Sequence, residues 1–452
     1  MQIIVVGCGK VGRELIAQLS GENNNVTAVD LKAEDVKQVS TIYDCRGVIG
    51  NGTSFQTLSE AGLDQADILI AVTHSDEINL LCCVMARKAV NCRTIARVRN
   101  PVYSTERTYI QEELGLSMII NPELAAAREA ARLLRFPSAI EIDTFAKGRI
   151  ELLRFKVPED SILVNHSLRE SAQSLHQGLL VCVAERNGEV TIPDGNFVVQ
   201  AGDTLSVVTS LGHAGKLFSK IGLRINRVKN TMIVGGGDMS YYLAQLLLAS
   251  GVKVKLVEQK KERCEELSDL LPHATIIWGD GSDQELLDEE HIEQMDSLVA
   301  CTGIDEENII LSLYAREKVR SKVVTKLTHV EFDGVIRNLN LDSIIYPKNI
   351  TAEIILQYVR AMGNTVGNSV ETLYRLMDGR VEALGFQIRA GSKMIGPRLQ
   401  EMKLKKNILL AGIAREGHLI VPRGSDVVLE GDSIIVVTTE RGYRDIDDIL
   451  AE

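Results

Sequence analysis

Aromatic residues are scarce: they make up 4% of the chain, with a single tryptophan, Trp278. Cores must therefore be built from Val, Ile, Leu and Ala, a composition that suits parallel strands buried on both faces between helices. No apolar run approaches the roughly 18 residues of a membrane span. The longest, such as Ile68–Val72 and Leu80–Ala86, are far shorter, so any membrane role is expected to be peripheral. The eight cysteines (Cys8, Cys45, Cys82, Cys83, Cys92, Cys182, Cys264 and Cys301) form no CxxC pair. That argues against a metal site or a disulfide framework, and free thiols fit a reducing cytoplasm. An excess of positive charge is missing too. Lys and Arg number 50 against 61 Asp and Glu, a net charge of −11. A chain so charged is a poor candidate for wrapping nucleic acid or lying on anionic lipid. The first strand is expected almost at Met1, with no secretory leader ahead of it. What remains is ordinary for a folded protein: 452 residues, 45% hydrophobic and 25% charged, enough for roughly two to four domains.

The sequence repeats itself. Ile3-Ile4-Val5-Val6-Gly7-Cys8-Gly9 returns as Thr231-Met232-Ile233-Val234-Gly235-Gly236-Gly237, and Gly7 aligns with Gly235 at an offset of 228. Asp30 aligns with Glu258 at the same offset. At an offset of 229, Gly50-Asn51-Gly52-Thr53 aligns with Gly279-Asp280-Gly281-Ser282, and Asp67–Thr73 with Asp296–Thr302. Asp76-Glu77-Ile78-Asn79 likewise aligns with Asp305-Glu306-Glu307-Asn308. The register continues through Arg186-Asn187-Gly188 with Arg415-Glu416-Gly417, Pro193 with Pro422, and Gly202-Asp203 with Gly431-Asp432. A drift of one residue over so long a stretch marks a tandem duplication. The period is far too long for a solenoid.

Within each copy the first part alternates strand and helix. Ile3–Val6, Val26–Val29, Ile68–Val72 and Thr94–Val98 read as strands, and Val11–Leu19 and Glu77–Ala89 as helices. Such alternation implies βαβ units and a parallel sheet. The Cys82–Cys83 pair, on an apolar helix, reads as core. Glu123–Leu134, Ala- and Leu-rich after Pro122, predicts a helix leading out of the sheet. From about Leu152, short β-branched runs such as Leu179–Ala184 and Thr204–Val208 are separated by glycine turns, which reads as a small α+β domain. The linker between the halves is expected over Arg224–Asn230.

Gly7-x-Gly9-x-x-Gly12 follows a strand and opens a helix, and Asp30 ends the next strand. This is the dinucleotide fingerprint in its required context. Gly7 permits the tight turn, Gly9 lets a pyrophosphate approach the backbone, and Gly12 lets the helix pack. The N–H groups at the helix N-terminus hold the phosphate. Asp30 accepts hydrogen bonds from ribose hydroxyls and repels a 2′-phosphate, which favours NAD(H) or an adenosine nucleotide over NADP. The second copy keeps Gly235, Gly237 and Glu258, but Ser240 replaces the third glycine and Asp238 stands for Lys10, a carboxylate where an anion should lie. Lys326 stands for Arg97, and Thr328 for Arg99. Asn51 and Asp280 read the base or only shape their turns. Thr73 and His74 sit at the carboxyl edge of the sheet, where ligands bind; His74 is a nucleotide contact or a solvated loop residue. Arg97 balances phosphate charge or makes a structural ion pair.

These motifs, GxGxxG…D, G(N/D)G(T/S) and (A/C)xT…D-E-x-N, are each followed by a small domain ending in G-D-x-(L/I)-x-V-V-T. The chain so resembles the RCK (KTN) family of potassium-transport regulators, in the tandem form of the peripheral nucleotide-binding subunits of Trk systems. The resemblance spans essentially all 452 residues. It implies an α/β fold in which a Rossmann-like parallel-sheet domain followed by a small α+β domain occurs twice. The boundaries are expected at 1–138 and 139–224, then 225–368 and 369–452. It also implies a homotetrameric ring on the cytoplasmic face of the membrane. There NAD(H) or ATP/ADP binding would gate a membrane-embedded potassium-translocating partner of the Trk type. The binding positions carried over are Gly7, Cys8, Gly9, Lys10, Val11, Asp30, Asn51, Thr73, His74 and Arg97. In the second half they fall on Gly235, Gly236, Gly237, Asp238, Met239, Glu258, Asp280, Thr302, Gly303 and Lys326.

Two other classes compete. A dehydrogenase would need a proton relay beside the nicotinamide, and no constellation among the scattered histidines recommends itself. A thiol sensor would need a cysteine pair at exchange spacing.

Overall fold

The structure, a computed structural model, describes the chain except residues 23, 138, 146–149, 176–179, 211–217, 223–227, 329–335, 337, 338, 340, 364–369, 378, 379, 417, 441, 444 and 452. Among the described residues the strands form four sheets. The first contains β1 (Gln2–Val6), β2 (Asn25–Asp30), β3 (Arg46–Ile49), β4 (Ile68–Ala71), β5 (Arg93–Arg97) and β6 (Met118–Ile120). It is parallel, in the order β3-β2-β1-β4-β5-β6. The second contains β7 (Glu141–Phe145), β8 (Ile150–Lys156), β9 (Leu180–Arg186), β10 (Glu189–Thr191) and β11 (Thr204–Ser210). It is antiparallel, in the order β10-β9-β11-β8-β7.

The plan then repeats. The third sheet contains β12 (Asn230–Val234), β13 (Lys253–Glu258), β14 (Thr275–Trp278), β15 (Ser297–Ala300), β16 (Lys322–Lys326) and β17 (Ser343–Ile345). It too is parallel, in the order β14-β13-β12-β15-β16-β17. The fourth contains β18 (Val370–Leu376), β19 (Val381–Gln387), β20 (Ile408–Arg415), β21 (His418–Ile420) and β22 (Ser433–Thr438), antiparallel in the order β18-β19-β22-β20-β21. The expected fold class, a Rossmann-like domain and a small domain in tandem, is therefore observed.

Composition explains the central strands. Every side chain from Ile3 to Val6 and from Ile68 to Ala71 is buried, as a parallel sheet covered on both faces requires. The helices that cover it are one-sided. Lys10–Gly21 buries Val11, Leu15, Ile16 and Leu19, the spacing of a single helical face. Asp76–Ala89 is started by Ser75, whose hydroxyl accepts the Ile78 N–H at 3.2 Å, and it buries Asn79, Cys82, Cys83 and Ala86. The helix expected over Glu123–Leu134 runs Pro122–Arg135, with Asn121 Oδ1 accepting the Leu124 N–H at 2.8 Å. The expected linker falls largely outside the described residues; Asn230 opens β12.

The chain divides into two compact units. One joins Met1–Ala131 to Lys229–Leu356 and so contains both parallel sheets. The other joins Arg132–Val228 to Gln357–Glu452. Within this second unit one apolar cluster takes Leu152, Cys182, Val183 and Val208 from one small sheet and Val381, Ala383, Ile435 and Val437 from the other. Each small sheet also contains the same ion pair, a buried carboxylate held by a partly exposed guanidinium. Arg186 clasps Asp203 with two bonds of 2.7 Å, and Arg415 clasps Asp432 at 2.9 and 2.8 Å. Burial works to raise the Asp203 carboxyl, but the Arg186 guanidinium and the Gln200 N–H outweigh it and hold it below its ordinary value.

A pH dependence follows. The stabilisation from Asp203 is complete above the unfolded carboxylate value of about 3.9 and is lost as the pH falls through the lower folded value. Arg186→Met, which strands a buried carboxylate, is expected to cost about 2 kcal/mol at neutral pH. Its urea midpoint, followed by circular dichroism, should then change less between pH 5 and pH 2.5 than that of the wild type.

Candidate functional site

Parallel register brings the expected residues to one edge. Val6 pairs with Val29 and with Ala71, Ala71 with Ala96, and Asp30 with Ile49. The carboxyl ends of β1 to β5 are therefore level, and β1 and β4 lie at the point where the strand order turns. In an open α/β sheet that crevice is where ligands bind.

The glycine loop fills this edge. Gly7 sits at φ 105°, and a Cβ at Gly12 would stand 1.8 Å from the Gly7 carbonyl oxygen. Gly9 differs: a Cβ there would meet nothing within 4 Å, so its surface is open to an approaching group. Cys8 and Val11 are buried; at these positions only the backbone can face a ligand. Lys10 is exposed. Asp30 Oδ2 accepts the Cys8 N–H at 2.7 Å, and its Oδ1 accepts the Lys32 N–H at 3.0 Å. The carboxylate thus braces the loop, and each oxygen keeps a lone pair for a further donor.

At the next strand ends a residue the sequence reading left out of the site organises the rest. Asn79 has no exposed surface. Its Oδ1 accepts the Thr73 N–H and hydroxyl, both at 2.8 Å, and its Nδ2 donates to the carbonyls of Thr73 (3.1 Å) and Arg97 (2.9 Å). Asp76 likewise accepts the N–H groups of Arg99 and Asn100, both at 2.8 Å. The repeated D-E-x-N motif was the available signal for both residues. Asn308 and Asp305 make the same bonds in the second half, to Thr302, Lys326 and Thr328.

Three cations sit in this edge in different states. Arg99 donates to the His74 carbonyl and stands 3.8 Å from Asp76. Lys10 makes no ion pair among the described residues. Arg97 is half-buried, and its guanidinium makes no hydrogen bond or ion pair among the described residues; its Nε is buried without a partner. Burial first, and the Arg99 charge second, lower the Arg97 pKa, with Glu123 and Asp76 opposing. A partly desolvated cation without a close ion pair is costly, and an anion at this edge would relieve it. His74 is exposed, and its carbonyl accepts the Arg99 guanidinium. Asn51 is exposed too, and its Oδ1 accepts the Thr53 N–H and hydroxyl at 3.0 and 2.9 Å. Asp280 repeats this with Ser282 at 2.9 and 2.8 Å, so both residues shape their turns.

The second loop has the same frame and a different charge. Gly235 has φ 100°, Gly237 is open, and Glu258 accepts the Gly236 N–H at 2.7 Å. Ser240, fully buried, places a side chain where Gly12 admits none. Asp238 is not bare: Arg263 reaches it at 3.3 Å and donates to the Gly236 carbonyl at 2.8 Å. Lys326 Nζ donates to the Cys301 carbonyl at 3.4 Å. Met239 is buried and Gly303 exposed.

Burial raises the thiols. It pushes Cys8, Cys82 and Cys182 to about 12, and raises Cys45, Cys83, Cys92, Cys264 and Cys301 as well. A thiol held protonated is a poor nucleophile, which weighs against the thiol-sensor reading.

Fold and site thus define a class: a tandem pair of Rossmann-like domains with glycine loops, each followed by a small antiparallel domain. Residues 3–122 and 231–347 match the TrkA-N domain, and residues 152–222 and 384–451 the TrkA-C domain. The chain belongs to the TrkA family. It is 30% identical over 448 residues to the Trk system potassium uptake protein TrkA of Haemophilus influenzae, covering 98% of this chain and 96% of that one. It is 29% identical over 455 residues to TrkA homolog 1 of Methanosarcina mazei, covering 99% of both. Among solved structures it resembles the GsuK channel bound to NAD, with a TM-score of 0.63 at 16% identity over 97% of this chain and 76% of that one. It also resembles GsuK bound to ADP, with a TM-score of 0.51 at 14% identity over 79% and 69%.

The two glycines can be separated by experiment. Gly12→Ala is expected to cost about 3 kcal/mol, because the methyl collides with backbone. Gly9→Ala should change stability by no more than about 0.5 kcal/mol yet weaken nucleotide binding. Thermal unfolding and calorimetric titration on both variants check this.

Proposed function

We infer that the chain is a regulatory subunit of a potassium uptake system. It binds NAD(H) or ATP/ADP in its Rossmann-like domains and, as a homotetrameric ring on the cytoplasmic face, gates a membrane-embedded potassium-translocating partner of the Trk type. Four domains, 1–138, 139–224, 225–368 and 369–452, divide this work. No helix among the described residues is long and apolar enough to cross a membrane, so translocation falls to the partner. The observation that carries the nucleotide reading is Arg97, a half-buried cation without a hydrogen bond or ion pair to its guanidinium among the described residues, level with an open glycine loop. Family membership and the potassium-uptake names of the relatives support the transport reading.

The residues divide the ligand between them. Backbone N–H groups from Gly7 to Val11 and the helix N-terminus take the phosphates, Arg97 neutralises them, and Asp30 takes the ribose. Thr73 and His74 line the edge, and Asn51 holds the turn beside it. In the second half Gly235–Met239, Glu258, Asp280, Thr302, Gly303 and Lys326 form the corresponding site. Asp238 and its partner Arg263 leave less room there for phosphate charge. The role is binding rather than chemistry, and a ligand gates only as far as its affinity differs between conformations of the ring. Lys10 and Arg97, neither in an ion pair among the described residues, are the cations placed to tell ATP from ADP.

Calorimetric titration with NADH, NAD, ATP and ADP tests the assignment. Asp30→Asn is the informative variant, since it keeps an acceptor for the Cys8 N–H while losing the charge. A loss of roughly tenfold or more in affinity, with Glu258→Gln nearly unchanged, is expected. Equal affinity in wild type and Asp30→Asn would refute the ribose role.

A further inference from the structure

Within the first unit the two Rossmann-like domains meet at a hydrogen-bonded triangle. Tyr242, on the Asp238–Ala249 helix that opens at the second glycine loop, is buried. Its hydroxyl donates to the Arg99 carbonyl at 3.2 Å and accepts from Asn121 Nδ2 at 3.0 Å. Asn121 Nδ2 also donates to the Arg99 carbonyl at 3.0 Å, and Asn121 Oδ1 caps the helix Pro122–Arg135. Arg99 lies two residues beyond Arg97, and Asp76 holds its N–H. A cleft of about 660 Å³ opens beside the triangle, lined among others by His74, Arg99, Asp238, Tyr241 and Arg263. The strand end of the first site and the loop helix of the second thus share one phenol.

By the repeat register, Glu14 stands where Tyr242 stands and Thr328 where Arg99 stands. Glu14 is bonded within its own helix, to Gln18 at 2.6 Å, so the phenol of the second copy has no counterpart side chain of its kind in the first.

We propose that Tyr242 is a positioning residue that couples the two glycine loops: an anion on Arg97 draws the Arg97–Arg99 segment, and the shared Tyr242 hydroxyl passes that displacement to the Asp238–Ala249 helix. This rests on the nucleotide reading of the first site. Coupling of this kind requires a physical element that both sites bias, and the Tyr242 hydroxyl, on the second loop's helix, bonds to the Arg99 carbonyl beside the first site. The first site therefore reads its ligand out through the second loop, even where that loop holds no nucleotide.

Hydrogen exchange of the full chain with and without ADP tests this. The Glu258→Gln background weakens binding at the second loop itself. In that background ADP is expected to slow exchange in the Asp238–Ala249 helix by about fivefold or more. Tyr242→Phe keeps the ring in its packing. It should abolish that protection while calorimetric ADP affinity stays within about twofold. Tyr241→Phe, which alters only a bond to Gln245, should retain the protection. Protection retained in Tyr242→Phe overturns the coupling role. So does faster exchange of the helix in ligand-free Tyr242→Phe, which marks a purely structural contact. Absence of ADP binding to the wild type overturns the nucleotide reading instead.

Discussion

The Asn79 carboxamide, entirely buried, fastens the end of β4 to the end of β5 by accepting from Thr73 and donating to Thr73 and Arg97. A buried amide is tolerated only when its groups are satisfied, and all four bonds here are made to residues of the ligand edge. The consequence is positional. The Thr73 and Arg97 backbones are thereby tied together, and the half-buried Arg97 guanidinium makes no ion pair among the described residues. In the proposed reading, an anion bound at this edge would give Arg97 the close partner it lacks among the described residues. Asn308 repeats the arrangement in the second half. The scaffold was thus duplicated whole, including its least replaceable side chain.

What differs between the halves is charge rather than shape. The first loop presents Lys10, with Arg13 paired to Asp35 at 2.6 Å. The second presents Asp238, and the guanidinium comes from Arg263, at the register position of Asp35. Both arginines donate to the same loop carbonyl, that of Cys8 or Gly236. The donor is thus kept while the helix that supplies it is exchanged, which leaves the loop backbone nearly constant and reverses the sign of its outermost side chain.

Most of the fold was legible because the duplication checks every reading twice. The glycine turns, the buried β1 and β4, and the helices at Lys10–Gly21 and Asp76–Ala89 follow from apolar spacing and turn chemistry. The strands β3 and β6 were missed. β3 buries only Val48 of its four residues, so it carries no apolar signature, and pairing with β2 alone makes it a strand. Asn51 and Asp280 looked equally suited to ligand and turn until their bonds to Thr53 and Ser282 settled their structural part. Asn79 appeared only as a repeated letter, since nothing in a sequence says which polar residue on an apolar helix is buried. Tyr242 gave no signal at all, because its role lies in contacts between distant segments.

The most direct test of the account compares ADP with adenosine on wild type and Arg97→Gln. The two ligands share the base and the ribose and differ in the phosphates. If Arg97 is the cation that takes the phosphates, Arg97→Gln should weaken ADP by about tenfold or more and leave adenosine unchanged. Equal losses for both ligands, or no loss for either, would contradict it.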